Sequence, residues 1–280
     1  MSVESTSPAI ASNHSIKIAA ISDIHSNVFA LEAVLADIDD RSVQQVVNLG
    51  DILYGPIAPS QTYELLRAYQ GWKSNDVITI QGNQDRLIYE ADAAAIKDNP
   101  TLRFVLDELP ADAIKWLRSL PVDYQLQENG FNEVIYLCHG APNEDAMYLL
   151  EEVSSGSPVI REDSDIITRL AGQDASIILC GHSHISRTVM LSNGQIVVNT
   201  GSVGYPAYAD ESPVNHKMES CSPHASYALL ECIKTPTGRQ WQVEQVKIPY
   251  DFEAAAQLAA KHGREDWAFA LRTGRVMATG

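Results

Sequence analysis

Five short apolar runs, each closed by residues that bind metal ions well, constrain this chain more than anything else in it. Ile16 to Ile21 ends at Ser22-Asp23, with His25 just beyond. Gln45 to Leu49 runs into Gly50-Asp51, and Val77 to Ile80 leads to Gly82-Asn83. Val134 to Cys138 runs into His139-Gly140, and Ser176 to Cys180 into Gly181-His182-Ser183-His184. Each run has strand length, is rich in β-branched residues and stops at Gly or a polar turn, the pattern of a buried strand. In open α/β sheets ligands bind at the C-terminal edge of the strands. Candidate ligands at the end of every strand therefore predict one site assembled from distant sequence.

Taken singly, most of these residues have an ordinary structural explanation. Asp23 suits a helix N-cap, Asp51 a turn after Gly, Asn83 a left-handed turn, and His139 a half-buried, hydrogen-bonded histidine. His182 and His184 are harder to explain so: two apart on a strand, they would share a face and converge on one point. Together the set offers two carboxylates, one amide oxygen and four imidazoles. That is enough hard oxygen and borderline nitrogen for two divalent ions with positions left for water and substrate.

At these residues the chain resembles the calcineurin-like metallophosphoesterase superfamily, whose signature runs Asp-x-His, Gly-Asp, Gly-Asn-His-Asp/Glu, His and Gly-His-x-His. Ser22-Asp23-Ile24-His25-Ser26-Asn27, Gly50-Asp51-Ile52-Leu53-Tyr54-Gly55-Pro56 and Asn199-Thr200-Gly201-Ser202-Val203-Gly204 look like its bacterial branch of small phosphodiesterases. The motifs span residues 17 to about 206. The resemblance implies an α/β fold, a four-layer αββα sandwich of two mixed β-sheets flanked by helices. It also implies a ligand set: Asp23, His25 and His184 on one metal, Asn83, His139 and His182 on the other, and Asp51 bridging both. Asp51, Asn83 and His139 are assigned to catalysis, and Asn27, Gln84 and Arg86 to substrate contact. Asn27 serves equally well as the first helix's N-cap, and Arg86 as part of a solvated helix face. Tyr54 either lines the pocket or packs.

One position departs from the family pattern. Where the family has Gly-Asn-His-Asp, this chain has Gly82-Asn83-Gln84-Asp85. Gln84 donates a hydrogen bond but has no useful proton to transfer. The expected chemistry is two-metal hydrolysis by activated water, favouring aryl esters, nucleotides or phosphoanhydrides over simple alkyl monoesters. Manganese is the favoured metal, with iron, zinc, nickel and magnesium as alternatives. The competing readings are a monoester or protein phosphatase and a catalytically silent metal-binding scaffold.

A formal net charge of −16 over 280 residues disfavours long nucleic acid as a partner and leaves a small anionic phosphoester as the expected substrate. Four scattered cysteines without a Cys-x-x-Cys motif point to a reducing cytoplasm. No signal peptide and no membrane-spanning run is read from the sequence, and a homo-oligomer remains open. Residues 1–15 are expected to be a disordered tail, followed by the main domain over 16–250. Helices are expected from Asn27 to Asp40, from Ser60 to Tyr69, and over 143–151 and 163–171. A helical cap broken at Pro100 and Pro110 is expected around 86–120. The hairpins 187–198 and 226–248 are expected to form a second sheet, with a Pro-Thr-Gly turn in the latter. Residues 207–224 read as a polar loop with exposed His216 and His224. The helices of 251–280 lie on the domain or at a subunit contact.

Overall fold

Alternation along the strands sorts their side chains into layers in this computed structural model, which describes residues 16–69, 77–127, 133–235 and 238–278. On β1 (Ile16–Ile21), Ile18 and Ala20 enter one hydrophobic cluster while Ala19 and Ile21 enter another, as the two-residue pleat requires. On β5 (Ile135–Cys138) and β8 (Ile177–Cys180), Ile135, Leu137, Ile177 and Leu179 join Ile18 and Ala20. Their neighbours Tyr136, Cys138, Ile178 and Cys180 face the opposite side. Both faces of these strands are covered, which is why they read as unbroken apolar runs.

Two five-stranded mixed sheets enclose the shared cluster. The first runs β14 (Gly238–Ile248), β13 (Ala225–Thr235), β1, β2 (Gln45–Asn48), β3 (Val77–Thr79). The second runs β4 (Asp123–Leu126), β5, β8, β10 (Ile196–Asn199), β9 (Arg187–Met190). β1, β2 and β3 are mutually parallel, as are β5, β8 and β10. The five ligand-bearing strands thus all lie in the two parallel blocks, β1–β2–β3 ending at one edge of the first sheet and β5–β8–β10 in the middle of the second. The two predicted hairpins exist but do not form a sheet of their own. β13–β14 extends the first sheet by pairing with β1, and β9–β10 extends the second by pairing with β8. The expected four-layer α/β sandwich is present.

Outside the first sheet lie α1 (Val28–Asp40), α2 (Pro59–Ala68), α3 (Asn83–Glu90), α4 (Ala93–Asp98), α5 (Pro100–Glu108) and α6 (Ala111–Ser119). Leu31, Val34 and Ile38 of α1 share one cluster with Leu102 and Val105 of α5 and with Ala113 and Leu117 of α6. The segment expected as a cap thus contributes Leu102, Val105, Ala113 and Leu117 to the cluster against the first sheet. α7 (Asp163–Arg169) covers the second sheet through Ile166.

Residues 143–151 do not form the expected helix. Ala141 and Glu144 close an isolated bridge, and Glu151 begins β6 (Glu151–Glu152), which pairs with β7 (Val159–Ile160). The carbonyls of Ala146, Tyr148 and Leu150 serve His182, the Arg161 side chain and the Arg161 amide instead of a helix. The stretch 207–224 is likewise not a plain loop. β11 (Ala207–Asp210) and β12 (His216–Glu219) pair, and His216 is buried, meeting the Tyr148 hydroxyl at 2.9 Å. α8 (Phe252–Lys261) and α9 (Glu265–Thr273) pack on the domain, where Ala255, Ala259, Trp267 and Leu271 meet Ile57, Tyr205 and Ala207. The tail at 1–15 and the turn residues Pro236 and Thr237 lie outside the described residues. No helix among the described residues is long and apolar enough to cross a membrane.

Candidate metal centre

The loops after the five strands are stitched to one another by backbone hydrogen bonds. Asp23 and His25 donate to the carbonyls of Gly50 and Asp51 at 2.9 and 3.0 Å, and Gly181 donates to that of His139 at 2.8 Å. Asp23 Oδ2 accepts the His182 amide at 3.1 Å, joining the first sheet to the second. Two motif glycines are required by close approach. A Cβ on Gly82 would run into the Asp51 carboxylate, and one on Gly181 into Ser22 Oγ and Asp23 Oδ2.

The loops gather two triads. Asp23, His25 and His184 form one, and Asp51, His139 and His182 the other, all buried. Asp51 Oδ2 lies 3.3 Å from His139 Nε2 and 3.8 Å from His25 Nε2, so it stands between the triads. Asp23 Oδ1 lies 3.1 Å from His184 Nε2 and 3.9 Å from His139 Nε2. His182 and His184 do not converge on one point as a strand pair would. Both have left-handed φ, 66° and 60°, and each joins a different triad.

Each histidine has one ring nitrogen against a backbone carbonyl, which accepts only from N–H and so fixes the tautomer. His25, His139 and His184 use Nδ1, toward Tyr54, Leu49 and Tyr205 at 2.9, 2.8 and 2.5 Å. His182 uses Nε2, toward Ala146 at 3.0 Å, which turns its Nδ1 inward. The bare Nε2 atoms of His25 and His184 therefore face each other at 3.2 Å. Asp23 Oδ1, Asn83 Oδ1 and His139 Nε2 are buried without a hydrogen-bond partner. Lone pairs aimed at one another in a buried site carry a desolvation penalty unless a cation lies among them. The donor set fits a pair of divalent metal ions.

Charge states follow from the same packing. Burial works to raise Asp23, but the imidazoles of His184, His139 and His25 outweigh it and hold its carboxyl well below the usual range. Asp51 is lowered too, burial being overcome chiefly by His139. Burial lowers His25 and His182 to about 4, the neutral form a ligand needs. Burial also opposes protonation of His139, but Asp51 and Asp23 raise it to about 10, so that without a cation a proton takes the place on Nε2 that a metal ion would fill.

A cavity of about 320 Å³ opens over the triads, lined by Asn83 and Gln84 beside the metal ligands. The Gln84 backbone N–H donates to Asp51 Oδ1 at 2.8 Å. Two expected substrate contacts are placed elsewhere. Asn27 is fully buried as the N-cap of α1: its Oδ1 accepts from Ala30, and its Nδ2 donates to the Gly204 carbonyl and the Tyr250 hydroxyl. Arg86 is neutralised by Asp145 and Glu90 and lines a neighbouring cavity together with His139. Tyr54 does line the metal cavity.

Sequence reasoning missed several supporting residues. Asp85 is fully buried, accepts from the amides of Ile52 and Gly82 at 2.9 and 3.1 Å, and is raised to about 7 by burial and by Asp51. It ties the Asp51 loop to the start of α3, and its place after Gly82-Asn83 was the available signal. Asn199 donates to the Gly181 carbonyl and Ser183 Oγ, bracing the paired-histidine loop. Tyr205, Tyr208, Arg264 and Trp267 complete the cavity wall. No motif marks those four.

Relatives share this architecture. A metallophosphoesterase from Sphaerobacter thermophilus superposes with a TM-score of 0.64 at 22% identity, covering 92% of this chain and 99% of that one. A hypothetical protein from Pyrococcus horikoshii superposes at 0.71 with 19% identity, covering 92% and 98%. An uncharacterised protein of Methanocaldococcus jannaschii is 25% identical over 263 residues, which is 89% of this chain and 94% of that one. A profile of the calcineurin-like phosphoesterase superfamily domain matches residues 16–220. With two buried ligand triads at the sheet rim, that match supports a hydrolase acting on phosphoesters through a dinuclear divalent metal site. The chain belongs to the calcineurin-like phosphoesterase superfamily.

Proposed function

We propose that the protein is a two-metal phosphodiesterase acting on small, anionic, nucleotide-like phosphoesters, with manganese as its favoured metal. The observation that carries this reading is the set of buried ligand atoms without hydrogen-bond partners on Asp23, Asn83 and His139. When bound, the two cations would offset charge on the phosphoryl oxygens and lower the pKa of water enough for attack near neutral pH. The chain's own residues hold and orient. Asp23, His25 and His184 would take one ion, and Asn83, His139 and His182 the other, with Asp51 between them. The Gln84 backbone N–H holds the second Asp51 oxygen in place.

Gln84 lines the cavity where the family places an acid, and its amide has no proton to give a leaving group. Esters whose leaving groups depart as stable anions are therefore favoured. A cavity of about 320 Å³ lies at the small end of ligand sites and suits a small substrate. The mixed nitrogen and oxygen donors suit manganese, and also iron, zinc, nickel or magnesium. Free thiols at Cys138, Cys180 and Cys221 fit a reducing cytoplasm.

The test is metal content and turnover in one manganese-loaded preparation, with bis(4-nitrophenyl) phosphate and 4-nitrophenyl phosphate as substrates. Faster diester cleavage is expected. Faster monoester cleavage would point to a phosphatase instead. Full loading with no turnover of either ester would favour the scaffold reading, for which Gln84 is the one supporting feature.

A further inference from the structure

We propose that Arg264, at the turn between the two C-terminal helices, is a specificity-determining residue that binds a second anionic group of the substrate, a phosphate or a carboxylate. This rests on the phosphoester reading and adds the substrate class to it: compounds with two anionic groups, one at the metal centre and one at Arg264.

Arg264 is the only Lys or Arg among the described residues that line the metal cavity. The wall otherwise includes two acids, Asp51 and Asp210, in a chain of net charge −16. The guanidinium is held in place from several sides. Nε and one terminal nitrogen donate to Asp266 Oδ1 and Oδ2 at 2.9 and 2.6 Å, and the other terminal nitrogen donates to Thr101 Oγ1 at the start of α5. Its carbon lies 5.6 Å from the centroid of the Trp267 ring. Trp267 in turn stacks on Tyr205 with centroids 3.6 Å apart and planes within 5°, and stands 5.9 Å from the His25 ring. Arg264 is thus two ring contacts from a metal ligand.

An ion pair with Asp266 in the first turn of α9 explains the anchoring but not the location. Guanidinium carries five N–H donors, and three are engaged here. The two that remain are what one bidentate contact with a carboxylate or phosphate requires. An arginine already immobilised loses little freedom when it makes that contact. Tyr54 and Tyr208 line the same cavity, giving flat apolar surface for the part of a substrate that joins its two anionic groups.

The test uses the manganese-loaded full chain and calorimetric binding of phenylphosphonate, 3-carboxyphenylphosphonate and 4-carboxyphenylphosphonate, none of which is hydrolysed. The wild type should bind one carboxylated isomer roughly 10- to 100-fold more tightly than phenylphosphonate, the range expected of hydrogen bonds to a charged group. Arg264→Met should erase that preference, so that within the variant the carboxylated isomers bind no more tightly than phenylphosphonate. Arg264→Lys keeps the charge without the fork and should fall between. It also serves as the test variant if Arg264→Met fails to fold. Equal wild-type affinity for all three ligands, or a preference that survives in the variants, would overturn the role of Arg264 while leaving the phosphoester reading intact. Failure of the metal-loaded wild type to bind any of the three would overturn the phosphoester reading itself, and this inference with it.

Discussion

Asp23, His25, Asp51, His182 and His184 hold φ between 47° and 66°, a region that costs a residue with a Cβ roughly 1–2 kcal/mol. Strained backbone of this kind persists where surrounding contacts over-determine it and function repays it. Here the loop-to-loop hydrogen bonds supply the first condition, and the convergence of ligand atoms meets the second. Asp51 is the most exposed test of that account, since one oxygen faces both triads and the other takes the Gln84 backbone N–H. Asp51→Asn keeps an acceptor for Gln84 but removes the charge shared between the triads. Metal affinity should fall by roughly 100-fold or more, measured as bound metal per chain after dialysis, with turnover lost in parallel. Full loading and full activity in that variant would rule out the bridging role. Gln84→His tests the other side of the site. Restoring a transferable proton there should raise turnover of alkyl phosphoesters by roughly 10- to 100-fold and change aryl esters little. Equal effects on both would show that position 84 does not act on the leaving group.

At the scale of elements, the C-terminal helices matter through one stack. Trp267 of α9 is 3% exposed and lies flat on Tyr205, whose carbonyl orients His184. Trp267→Ala should cost about 3–5 kcal/mol of stability, read from denaturant midpoints. It should also weaken metal binding at the His184 triad, whereas Trp267→Phe should restore most of both. A loss of stability with metal affinity untouched would mean that the stack only fills space. The α8–α9 hairpin is clasped on its exposed side by Glu253 and Arg272, whose guanidinium draws the Glu253 carboxyl down to about 2 from its ordinary 4.5. A lowered carboxyl stabilises the fold above its unfolded value and loses that contribution as pH falls through the folded one. The clasp should therefore loosen between pH 4.5 and about 2, with a small effect because the pair is exposed. A carboxyl titration by NMR should return the midpoint to the ordinary range in Arg272→Ala. Elements of this kind mark the limit of what the sequence discloses. The ligand strands were legible because burial on both faces leaves an apolar run ending in polar ligands. The partition of the hairpins between sheets depends on long-range pairing, such as β13 with β1, that no local pattern encodes. The 143–151 segment carries helix-compatible apolar spacing at Ala146, Met147 and Leu150, yet its carbonyls are taken by His182 and Arg161. Arg264 and Trp267 reach the site only through packing, so nothing in their own neighbourhood announces it.

For the molecule as a whole, neither sheet contains a complete site. The first sheet supplies Asp23, His25, Asp51 and Asn83, and the second supplies His139, His182 and His184. Each triad mixes the two sources, so a cation held by either one fastens the sheets together at the rim of their shared core. Such an ion binds the folded chain and not the unfolded one, in which these loops are far apart. Stabilisation by selective binding grows with the logarithm of saturation and reaches about 2.7 kcal/mol at 100 times the dissociation constant. In a domain of this size, 1 kcal/mol moves the melting temperature by about 2–4 °C. Stripping the metal with a chelator should thus lower melting by about 5–10 °C, and adding manganese back should restore it. The shift should shrink in Asp51→Asn, which leaves the sheets and their inner cluster intact and removes only the carboxylate that stands between the triads. Calorimetry with bound metal counted in the same samples separates the two causes of a null result. Melting that does not move while the count falls to zero would mean that the sheets are held by their apolar interface alone, and that the ions sit at the rim without fastening it.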